Sequence, residues 1–153
     1  MREILFRGRC VGEDHIYEWV DGYYVCLRDS YKKRETHRIY TGYVETDCGD
    51  FYGDWYEVDP ETVGQYTGLQ TYWYEFENEP QEADVWEHDI LEVDYDCKTI
   101  TAVVRYEAGT FILCSDDFVD GYIPLFDVVI VEDEYYMTAR KIGNIHDNPE
   151  LLG

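Results

Sequence analysis

An all-β protein is what the sequence predicts: a β region at the N-terminus, followed by a small closed β-barrel. Three observations carry this reading. The apolar residues come in strand-length runs, those runs are dominated by β-branched and aromatic residues, and the stretches between them hold turn chemistry built from Gly, Asp, Asn and Pro. Aromatic residues reach 17%, with sixteen tyrosines. No helix of ordinary length and no repeat of fixed period is visible.

Residues 4–7 read as a first strand. Residues 15–28 read as a hairpin, with Ile16, Trp19 and Val20 on one arm and Tyr23, Tyr24, Val25 and Leu27 on the other. Asp21-Gly22 stands between the arms as a two-residue turn signal. Lys32, Lys33, Arg34 and Glu35 form a polar loop, and residues 38–44 are another aromatic, β-branched strand. Residues 47–53 hold two glycines and read as a turn, from which residues 54–58 lead into the centre of the chain.

That centre, residues 58–69, is organised by backbone preferences. Asp59 is placed to cap a helical turn, and Pro60 follows at the first helical position, where a missing N–H costs nothing. Gly64 and Gly68 then release the chain into an extended segment. Residues 71–76 have strand propensity, whereas residues 77–83 are acidic, contain a proline and suit a loop or one helical turn. From residue 89 the pattern is regular. Strands are expected at residues 90–95, 99–106, 110–114, 126–131 and 135–140, with turns at Asp96-Cys97 and at Glu107-Ala108-Gly109. A meander of five short strands suits a closed barrel, since closure leaves no sheet edge exposed. Asn148-Pro149 ends the chain with a second capped turn. The expected division is an N-terminal β subdomain over residues 1–75, an acidic and aromatic linker over 76–88, and the barrel over 89–153.

The central stretch resembles the signature of the YopX-like family of phage and prophage proteins, notably at Asp59, Pro60, Gly64, Gln65, Tyr66 and Gly68. Both chain ends carry the same resemblance: residues 1–8 at the start, and Gly143, Asn144, Asn148 and Pro149 at the finish. The departure is residues 70–88, a Tyr-, Trp- and Glu-rich insert where the family has a shorter loop. The resemblance implies a mostly-β fold with an SH3-like barrel, a tendency to form homo-oligomers, a phage origin and no established activity.

Charge narrows the choice of partners. The formal net charge is −22, and eight of the twelve Lys and Arg residues lie before residue 39. Residues 39–97 contain seventeen carboxylates and no Lys or Arg. Such a surface repels DNA, RNA and anionic lipid at long range, which counts against nucleic acid and membrane as partners. The Lys32-Lys33-Arg34 patch with Arg38 reads as a solvated hairpin loop. No run reaches the roughly 18 apolar residues of a membrane span, and charges flank residues 4–6 too closely for a signal peptide. A cytoplasmic setting follows, and the five cysteines (Cys10, Cys26, Cys48, Cys97 and Cys114) fit it. They are odd in number, widely spaced and lack any CxxC, as reduced thiols would be.

No catalytic constellation stands out. His15, His37, His88 and His146 share no local spacing, Ser30 and Ser115 lie in loop contexts, and Cys114 is followed by Asp116 and Asp117. The pairs Glu87/Asp89 and Asp94/Asp96, and the trio Asp116/Asp117/Asp120, are acids among many. The reading is therefore a non-enzymatic protein with no cofactor and no metal. It acts through protein contacts, with another copy of itself or a different protein as partner. The candidate contact residues are Tyr72, Trp73, Tyr74, Phe76 and Trp86, because neighbouring side chains on a strand face opposite ways and these rings cannot all point inward. Two alternatives rank below it. One is a nucleic-acid mimic presenting Glu75, Glu77, Glu79, Glu82 and Asp84 to a basic host protein. The other is a carboxylate-based, metal-assisted hydrolase.

Overall fold

The computed structural model describes residues 3–44, 47, 51–73, 81–129 and 139–153. Every strand ladder in it is antiparallel, and the protein is all-β. The chain divides into two compact units, Met1–Gln65 and Tyr66–Gly153. Among the described residues, no helix is long and apolar enough to cross a membrane.

In the first unit, β1 (Phe6–Arg9), β2 (Trp19–Asp29), β3 (Arg34–Val44) and β4 (Phe51–Glu57) pair in the order β4-β3-β2-β1. The strand β5 (Gly64–Trp73) begins here, with Gly64 and Gln65 opposite Arg7 and Phe6. Along β2 and β3 alternate residues face opposite ways. One face buries Ile39, which meets Cys10 and Val58 in a small core; all three are 2% exposed or less. Gly8 belongs to that core, since a Cβ there would press on Val58 and Ile39.

Asp21-Gly22 is not a turn. The strand β2 runs straight through it, and the hairpin closes instead at residues 30–33. There Asp29 Oδ1 accepts hydrogen bonds from the Tyr31 and Lys32 amides at 2.8 and 3.0 Å, and Lys33 takes φ 49°. Gly22 serves close approach: a Cβ at this position would collide with the carbonyl oxygen of Tyr40 on the neighbouring strand. Gly53 plays the same part against Thr41, within β4 rather than in the loop expected at residues 47–53.

The second unit continues β5, which pairs with β6 (Gln81–Trp86). A curled five-stranded sheet follows in the order β10-β9-β8-β7-β11. Its strands are β7 (Asp89–Tyr95), β8 (Lys98–Glu107), β9 (Thr110–Cys114), β10 (Tyr122–Pro124) and β11 (Ala139–Asn144). The expected turns are present. Asp96 and Cys97 at φ 49° and 63°, and Ala108 and Gly109 at 50° and 85°, have the paired positive φ of tight hairpin turns. Leu91, Val104, Leu113 and Leu125, all 0% exposed, anchor the core on one face. No ladder among the described residues joins β10 to β11.

Three expectations are corrected in this unit. Residues 81–86, read as loop or linker, form β6, because β5 supplies the backbone partners that their acidic composition does not advertise. Residues 126–129, read as strand, form the one-turn helix α1 (Phe126–Val129). Burial of Val128 and Val129 against the core overrides their β-branched preference there. Asn148 precedes the 3₁₀ turn Pro149–Leu152 but makes no side-chain cap; its Oδ1 faces the Asn144 amide instead. The expected strand at 135–140 is described only from Ala139, where β11 begins.

Candidate functional site

The face of the first sheet opposite the Ile39 core is built by register. Tyr23, Tyr40 and Trp55 stand opposite one another across β2, β3 and β4, and Val25, Arg38 and Glu57 form the next row. Leu27 and Thr36 follow, and β1 adds Arg9 beside Trp19 and Arg7 beside Asp21. Directly opposed residues share a face, so all these side chains lie on one surface. Much of it is apolar and solvent-exposed: Tyr23 46%, Val25 37%, Leu27 39% and Trp55 49%.

Arginines interleave with these rings. The Arg38 guanidinium lies 3.8 Å from the centre of the Trp55 ring, and those of Arg7 and Arg9 lie 4.9 and 5.3 Å from Trp19. Contacts of this kind place the guanidinium charge against the negative face of the ring. Arg34 pairs with Glu57 at 3.3 Å along the same face. A locally basic, aromatic surface thus sits on a strongly acidic protein. Residue-by-residue reading of the sequence missed it, because the signal lies in the cross-strand register. A hairpin turn placed at residues 30–33 would have shown it.

The contact residues expected from the sequence lie elsewhere. Tyr72, Trp73 and Trp86 are half-buried on β5 and β6 of the second unit. Trp86 tilts against Tyr66 at a ring separation of 4.9 Å, and Trp73 lies under the Arg140 guanidinium at 5.7 Å. Tyr74 and Phe76 lie outside the described residues, as do Glu75, Glu77 and Glu79. Asp84 accepts hydrogen bonds from Gln70 Nε2 at 2.8 Å and from the Tyr66 hydroxyl at 3.2 Å.

The signature residues make two turns. At the first, Asp59 Oδ1 accepts from the Glu61 amide at 3.0 Å and Pro60 opens a 3₁₀ turn, as the sequence predicts. Thr62, 5% exposed, completes it: its hydroxyl donates to the Asp59 carbonyl at 2.7 Å and accepts from the Arg9 amide at 2.9 Å. The Asp59 amide donates to the Arg9 carbonyl at 2.9 Å, so both backbone groups of Arg9 are held by this turn. Gly64 is buried at the start of β5. Gly68, at φ 78°, sits where the β5–β6 register shifts between Tyr66 and Gln70. A bulge there needs the left-handed backbone that glycine adopts freely.

At the second turn, Asn144 Oδ1 accepts from the His146 and Asp147 amides, both at 3.0 Å. Gly143 faces Asn148 so closely that any Cβ would strike the Asn148 side chain. The turn reaches back to the β6–β7 connection, where the Ile145 amide donates to the His88 carbonyl at 3.0 Å and His146 Nε2 lies 3.2 Å from His88 Nδ1. Beside it the fully buried Asp89 receives Lys141 Nζ at 2.9 Å and the Trp86 amide at 2.8 Å. These groups satisfy one another and give this corner a structural role.

No curated protein matches the chain. The family model described as YopX protein matches residues 13–153.

Proposed function

The chain belongs to the YopX family, and from that premise we propose a phage-encoded, cytoplasmic accessory protein that works through protein contacts, without catalysis, as a homo-oligomer. The observation that supports this most is the exposed row of Tyr23, Val25, Leu27 and Trp55 on an open sheet face. A contiguous apolar surface with aromatic anchors, rimmed by charge, is the composition of an interface core. Charge favours a second copy as partner. The second unit carries 20 carboxylates against four Lys and Arg, and Arg38 on the first unit's face offers it an opposite charge. A partner-driven closure of the curled sheet into the SH3-like barrel belongs to the same reading.

Mimicry of nucleic acid by the acidic residues ranks behind self-association, because the same carboxylates also serve to keep an aromatic-rich β protein soluble. Light scattering on the wild type and on a Val25→Glu, Leu27→Glu double variant tests the proposal. An oligomer that the double variant reduces to monomer, with unchanged circular dichroism, supports it, since an unpaired carboxylate is expensive to bury. A wild-type monomer at tens of micromolar overturns it.

A further inference from the structure

We propose that Cys26, Glu35 and His37 form a binding site for a zinc-class divalent cation on the opposite face of the same hairpin. The register places Cys26 directly across from His37, and Glu35 follows two residues along β3 on the same face. The Cys26 sulfur, one His37 ring nitrogen and one Glu35 oxygen all lie within 4.8 Å of one another. Among the described residues this is the single set of three such ligand atoms so close together. A thiolate, an imidazole and a carboxylate are the donors that a borderline-soft cation takes in mixed sites.

The surroundings orient the donors. The Tyr24 hydroxyl lies 2.6 Å from His37 Nδ1, and the two rings stack with an interplanar angle of 13°. Arg28 grips Glu35 Oε1 from Nε at 2.9 Å and from Nη2 at 2.8 Å, which leaves Oε2 for a metal. Outer partners of this kind fix the ligand geometry. Around a tetrahedral zinc the donor atoms stand about 3.3–3.8 Å apart, so the cluster must close by roughly 1 Å. Rotation of the exposed Cys26 and Glu35 side chains provides that movement. Binding releases the thiol proton to solvent and leaves a fourth position open to water. The site does not depend on the self-association face, which lies on the other side of the sheet.

Cobalt is the probe, used on the full chain under a non-thiol reductant. One equivalent of Co²⁺ is expected to raise a sulfur-to-cobalt charge-transfer band, and Zn²⁺ to abolish it. Cys26→Ser should remove the band, and His37→Gln and Glu35→Gln should each weaken Co²⁺ binding by about tenfold or more. Cys97→Ser should leave it unchanged, and circular dichroism checks that each variant is folded. The proposal is overturned by absence of the band, by half-saturation in the millimolar range or above, by a band that survives Cys26→Ser, or by binding indifferent to both His37→Gln and Glu35→Gln.

Discussion

Thr62→Val removes a hydroxyl from the central turn while keeping its volume, which makes it a clean probe of what holds the first unit together. The Asp59 carbonyl keeps a second donor, the Thr62 amide at 3.0 Å. The Arg9 amide loses the hydrogen bond it donates to Thr62 Oγ1 at 2.9 Å. Removing the acceptor of a partly buried donor costs about 1–3 kcal/mol. A central figure of about 2 kcal/mol lowers the folding constant roughly 30-fold. Thr62→Ser keeps the hydroxyl and loses one methyl group, about 1 kcal/mol. Urea unfolding gives the two costs, and hydrogen exchange at the Arg9 amide locates the effect, with protection dropping in Val and retained in Ser. If Val is as stable as wild type, or Ser costs more than Val, the turn is not held by this hydroxyl.

Gly143→Ala should destabilise by more than the few tenths expected of an ordinary surface change, because Asn148 must leave its place against Asn144; a thermal melt reads it. Lys141→Met takes the ammonium from the fully buried Asp89 carboxylate while keeping most of the side chain, and a loss of about 3–5 kcal/mol is expected in urea. Burial, with help from Glu18 and Glu107 respectively, pushes the Cys10 and Cys114 thiols above their ordinary 9.0. The native state therefore holds those protons longer than the unfolded chain. The stability they contribute is fully present below the unfolded value and declines as pH rises through the raised native ones, which alkaline urea titrations measure. At pH 8 a thiol reagent should modify the exposed Cys26 and Cys97 well before Cys10.

Legibility in the sequence followed the range of the signal. Asp59-Pro60 and the hairpin turns at Asp96-Cys97 and Ala108-Gly109 are local conformational statements, and each stands where the sequence puts it. Asp21-Gly22 carries the same kind of signal and misleads, because Gly22 answers a carbonyl on β3 eighteen residues away. That single misplacement hides the face of Tyr23, Val25, Leu27 and Trp55, and with it the meeting of Cys26 with His37. The strand β6 and the helix α1 were illegible for a related reason: a partner strand and a core, not composition, decide them.

Sedimentation velocity over a concentration series, from below one to tens of micromolar, tests the central claim most directly. Self-association through the first unit's open face predicts a sedimentation coefficient that rises with protein concentration, a rise abolished by Trp55→Glu and weakened by Arg38→Ala. A single monomeric boundary throughout, or an oligomer indifferent to both substitutions, would contradict it.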